Sequence, residues 1–148
     1  MDARLINQVL VKLVELYERL LKLAAQQHAC VADERTDDLL DVLGQRQGVV
    51  EQIVKLEAAL RPTKQNWASL ADVMPAEQRA DAERLMARSR DLLEQITAAD
   101  NDDAMLLQQR KLNVGRQLAA TSTGARVNQR YAASAYGTAT PVRVDVSR

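Results

Sequence analysis

No glycine or proline interrupts the chain before Gly44, and within that stretch apolar side chains recur at alternating steps of three and four. Ile6, Val9, Leu13, Leu16, Leu20, Leu23, Gln27 and Cys30 trace a heptad seam. Leu10, Tyr17, Ala24 and Val31 lie beside that seam and widen it. One partner helix would need only the narrow seam. A stripe this broad must pack against more than one neighbour, so it predicts a bundle rather than a two-stranded coil. The first helix is expected over about 2–32.

Asp33-Glu34-Arg35-Thr36-Asp37-Asp38 breaks the pattern. Thr36 suits an N-cap, and the two Asp after it suit the positive end of a helix dipole. A second helix over 37–61 then carries Leu39, Leu43, Val50, Ile53 and Leu60 on one face, with Val42, Val49 and Leu56 alongside. Gly44 and Gly48 weaken its middle by about 1 kcal/mol each relative to Ala. Pro62 is expected to end it, because the residue before a proline is pushed out of the α region. Residues 62–75 form a connector in which Trp67, Leu70, Val73 and Met74 make one or two apolar turns over the end of an αα-hairpin.

Pro75 suits the first position of a third long helix, with Glu77 in its first turn. Leu85, Leu92, Ile96, Ala99 and Leu106 continue on one side of it, and Met86, Leu93, Leu107, Val114 and Leu118 on the adjoining side. No proline follows before Pro141, so the helix can reach the 120s or beyond. Asp100-Asn101-Asp102-Asp103 reads as a solvated segment, with a kink or a division of the helix open there. The fold class is therefore all-α: an antiparallel helical hairpin or bundle with one long C-terminal helix. Residues 1–133 make the bundle and 134–148 a loose, flexible tail.

Composition narrows the chemistry. There is no Phe, and aromatic residues make up 3% of the chain, so the core rests on Leu, Val, Ile and Ala. The 20 basic and 20 acidic residues cancel. Residues 110–148 nevertheless carry seven Lys or Arg against Asp145 alone. That basic end is too sparse for a nucleic-acid interface, and no partner of that class is expected. Cys30 is the only cysteine, which excludes an internal disulfide and fits a reducing, cytoplasmic compartment. The opening residues lack the pattern of a signal peptide, so none is expected, and charge breaks every long apolar stretch, so no membrane span is expected either.

His28 is the only histidine, and no Glu stands three residues before it, as di-metal helix bundles require. It reads as a surface or helix-end residue. Zinc ligation, phosphate-binding loops and nucleophile–base constellations find no residues to build on. The chain is read as a binding protein without cofactor or metal and not as an enzyme.

The order of elements resembles a known family. A long Leu-rich helix, an Asp-rich break and "DLLDVLGQRQGVVEQIVKLEAAL" are followed by Arg61, by Lys111-Leu112-Asn113-Val114-Gly115-Arg116, and by Tyr136-Gly137 in a loose tail. Together these resemble the flagellar export chaperones of the FlgN type, or more broadly FlgN/FliT-like chaperones, over roughly residues 5–137. A filament-cap chaperone family shares the hairpin. The chain departs from the pattern after Gly137, where Thr-Ala-Thr-Pro follows.

The resemblance implies a cytoplasmic protein that binds terminal helices of hook-associated proteins, keeps them unpolymerised and delivers them to the flagellar type III export apparatus. Val114, Leu118 and Val127 are the candidate apolar anchors for a partner helix. Leu107, one heptad earlier, leans towards core packing. Asn113, Arg116 and Arg126 join the candidate surface, and Tyr131 and Tyr136 are candidates for docking at the export gate. The alternative is a structural coiled-coil protein that self-associates; a homodimer is compatible with either reading.

Overall fold

The computed structural model describes residues 1–120. It contains α1 (Ala3–Ala32), α2 (Thr36–Gln65), the short α3 (Trp67–Val73) and α4 (Ala76–Ala119), and no strand among the described residues. The chain divides into two compact units, Met1–Asp103 and Ala104–Arg148, so the division falls within the sequence of α4.

The first unit is organised around α1. Asp2 caps its start, with Oδ1 accepting from the Leu5 N–H at 2.8 Å. Ile6, Leu10, Leu13, Leu16, Tyr17, Leu20, Leu23 and Cys30 are buried along the widened seam, and Val14 joins them. Two neighbours share this stripe. Val42, Val49, Ile53 and Leu60 of α2 and Ala82, Leu92 and Ile96 of α4 belong to the same core. Burying each Leu or Ile of this kind contributes about 1.5–3 kcal/mol.

The turn after α1 is a Schellman motif. The Arg35 N–H donates to the Cys30 carbonyl at 2.9 Å and the Glu34 N–H to the Val31 carbonyl at 3.3 Å. Glu34 consequently takes a φ of 57°, a left-handed conformation usually left to glycine. This geometry corrects the expected cap. Arg35, not Thr36, occupies the N-cap position of α2, and no side chain caps it. Leaving the Schellman turn, the chain enters α2 at once, as the Leu39 N–H already donates to the Arg35 carbonyl.

Two further expectations for α2 change. Its buried row is Val42, Val49, Ile53 and Leu60, with Leu39 and Leu56 partly covered, whereas Leu43 and Val50 are exposed. The two apolar rows are about 100° apart on the helix, and only one can face α1. Pro62 does not end the helix, which runs on to Gln65. The proline ring is exposed, and so is Ala58, whose carbonyl loses its helical donor. Leu60 and Thr63 on either side are buried and hold that turn in place. Asn66 then donates to the Pro62 carbonyl from both its backbone N–H and its amide.

The connector becomes α3, with Ala71 buried and Trp67 and Met74 packed partly against the core. Pro75 sits just before α4, and its carbonyl accepts the first helical bond from Arg79. α4 passes through Asp100–Asp103 without interruption.

Two stability tests follow from this packing. Leu16→Ala should cost about 2–5 kcal/mol in urea melts, since the side chain is enclosed between helices. Glu34→Gly should raise stability by about 0.5–1 kcal/mol, because relief of the left-handed strain outweighs the added freedom of the unfolded chain; thermal melts of the two proteins measure it.

Candidate functional site

The polar cluster at Asp100–Asp103 is not a solvated turn. Asp103 stands one heptad after the buried Ile96 and is itself only 3% exposed. Its Oδ1 lies 2.5 Å from His28 Nδ1, and its Oδ2 accepts from the Gln27 amide at 3.1 Å. Arg46 of α2 reaches Asp100 with two parallel bonds of 2.7 and 2.9 Å and donates to Gln27 Oε1 at 2.6 Å. Five polar side chains thus tie α1, α2 and α4 together at one end of the first unit. The bidentate bond to Asp100 raises the Arg46 pKa above its ordinary value against the opposing effect of burial, and the Asp100 and Asp103 charges add to it.

His28 is half exposed, as a surface residue should be, yet it is anchored. Gln27 interrupts an apolar seam because it serves this network. The signal was present in the sequence: Asp103 continues the 92–96 core row, and one Arg on α2 stands ready to answer two carboxylates. Cys30 is buried in the core. Among the described residues no group of three or more His, Cys, Asp or Glu is arranged to hold a metal ion. The network is a clamp between helices.

The first unit also holds a cavity of about 580 Å³. Tyr17 of α1, Trp67 of α3, and Met86, Ser89 and Leu93 of α4 line it, with the Glu57–Lys64 ion pair of α2 (3.0 Å) at its border. Ser89 Oγ is buried there without a hydrogen-bond partner. Burial raises the Tyr17 phenol pKa above its ordinary value of 10.0, and the nearby Glu57 charge adds to the effect. A group whose folded pKa is raised lends stability that is complete below the unfolded pKa and is lost as pH climbs through the folded one. Urea melts between pH 8 and 11 should therefore show stability falling above about pH 10. Tyr17→Phe should flatten that fall.

The described part of the second unit exposes apolar side chains. Leu107 is 51% exposed and Val114 49%, and Met105 and Leu112 are also exposed. Leu107 therefore does not pack in a core as expected; it shares a heptad row with Val114 and is open to solvent with it. Asn113 and Arg116 are exposed beside them. The side chain of Leu118 lies outside the described set, as do Arg126, Val127, Tyr131 and Tyr136 and the expected tail. The candidate surface is thus assembled in the structure only for Leu107, Asn113, Val114 and Arg116.

The described residues thus combine an all-α fold, a polar cluster that clamps helices together and apolar side chains left exposed. Residues 14–133 match the family model described as flagellar protein FliT, and the chain belongs to that family. It is a flagellar family of the chaperone type, not an enzyme family. The broad resemblance to flagellar export chaperones holds, but the narrower FlgN type is not the family matched. The elements shared with it (a Leu-rich helix, an acidic break, a long third helix) suit many bundles, and Tyr136-Gly137 falls beyond the matched residues. No curated protein and no solved structure matches the chain. No helix among the described residues is long and apolar enough to cross a membrane.

Proposed function

We propose that this protein is a cytoplasmic chaperone of flagellar type III export. It binds the terminal helices of hook-associated proteins of the hook–filament junction, keeps them from assembling early and delivers them to the export gate. The observation that carries the reading is the exposed row of Leu107 and Val114 in a member of a flagellar chaperone family. Aliphatic side chains held open on a helix mark a partner site, and a partner helix would bury them in the helix-in-groove manner.

Leu118 and Val127 extend the same surface in this reading, and Asn113, Arg116 and Arg126 supply its polar rim for an acidic partner face. Tyr131 and Tyr136 are the proposed contacts with the export apparatus. A structural coiled coil would instead sustain its seam to the end of α4, and Arg110, Asn113 and Gln117 interrupt it.

Val114→Asp combined with Leu118→Asp tests the proposal by calorimetry against purified hook-junction proteins. Each lost anchor should cost about 1–3 kcal/mol of binding. The far-UV helical signal and the melting temperature should stay close to those of the parent. Unchanged affinity in the double variant would move the surface elsewhere, and no binding by the parent would reject the chaperone reading.

A further inference from the structure

Ser89 stands where the core face of α4 calls for an apolar residue. Ala82, Ser89, Ile96 and Asp103 follow one another at heptad spacing, and all four are buried. Asp103 is answered by His28 and Gln27. Ser89 is only 7% exposed, and its Oγ has no hydrogen-bond partner among the described residues, not even the backbone carbonyl one turn before it. An orphaned hydroxyl weakens a core, and alanine would suit the helix better. The packing of the chain therefore gives no reason for this serine.

The cavity beside it supplies one. Its volume of about 580 Å³ falls within the range of small-molecule pockets, about 300–1,000 Å³. Tyr17 and Trp67 are the only aromatic residues before Tyr131, and both line it. A chain that otherwise fills its described core with aliphatic side chains thus places both rings at one cavity. Met86 adds a thioether, which adapts readily to flat rings. Glu57, Glu83, Lys64 and Arg90 give the lining two charges of each sign and no net charge. The burial that raises the Tyr17 pKa would penalise a charged occupant in the same way.

We propose that this cavity is a binding site for a small, uncharged aromatic alcohol, with its ring against Trp67, Tyr17 and Met86 and its hydroxyl paired with Ser89 Oγ. Offset or edge-on stacking holds the ring. The two hydroxyls can each donate or accept, so their bond fixes the orientation of the occupant without requiring charge. Ser89 is then satisfied when the site is filled, and occupancy stabilises the unit by mass action. The chaperone reading plays no part in this inference, since the cavity lies in the first unit and the exposed Leu107 and Val114 in the second.

Calorimetric titration of the full chain with β-naphthol tests it, alongside the methyl signals of isotope-labelled methionine. The parent should bind with a Kd on the order of 0.1 mM or tighter. The ring should shift the Met86 methyl signal and leave that of Met105, which is 71% exposed in the second unit. Ser89→Ala should bind about five- to tenfold more weakly. Without ligand the same variant should melt at a higher temperature than the parent, because an unpaired hydroxyl has left a helix core. Leu93→Trp, at a lining position that is 46% exposed, should block binding and keep the helical signal. A parent that gives neither heat nor a Met86 shift up to about 1 mM overturns the proposal. So does a shift at Met105 in place of Met86, or a Leu93→Trp variant that binds like the parent. Ser89→Ala that binds as tightly as the parent, or melts below it, overturns it as well.

Discussion

The first unit depends on α1 being apolar on two sides at once. Ile6, Leu13, Leu20 and their neighbours are enclosed because α2 covers one part of the stripe and α4 another. Neither outer helix has a comparable stripe; each buries only a few aliphatic residues in the common core. The polar ties repeat the same geometry. Asn7 donates to the Gln78 carbonyl near one end of α1, and Gln27 and His28 hold Asp103 near the other. Most of the free energy of assembly therefore sits along one helix, and the clamp at Arg46 and Asp100 adds alignment more than strength. Partly exposed ion pairs contribute little by themselves, whereas bidentate geometry fixes register.

The fold was legible in the sequence where burial is periodic and strong. The α1 seam predicts its buried residues almost one for one, because a wide stripe leaves few choices of orientation. α2 was harder because it has two apolar rows of similar strength. Periodicity gives the rows but not which one meets α1, and Leu43 and Val50 were assigned to the wrong side for that reason. Pro62 was misread because a local preference of a few kcal/mol yields to the buried Leu60 and Thr63 around it. Glu34 was invisible in advance, since nothing in a glutamate announces a left-handed residue.

The candidate site was legible only in part. The aliphatic pattern of α4 marks Val114 as open to a partner, and it is exposed, whereas Leu107, expected to lean towards the core, is exposed as well. The Asp100–Asp103 segment was read by its solubility, although its spacing from Ile96 already placed Asp103 on the core row. A run of carboxylates is informative about burial only when its phase is compared with the apolar row beside it.

The aromatic poverty of the chain has a consequence for how its unfolding can be watched. Trp67 is the only tryptophan, and it lies in α3, partly packed against the core and lining the cavity with Tyr17. Its fluorescence thus reports on the α2–α3 junction and is silent about the far end, where His28, Arg46 and Asp103 meet. Far-UV ellipticity weights every helical residue equally. The two signals sample different places, and their coincidence or divergence during denaturation measures whether the unit melts as one cooperative body or frays from the clamp inward.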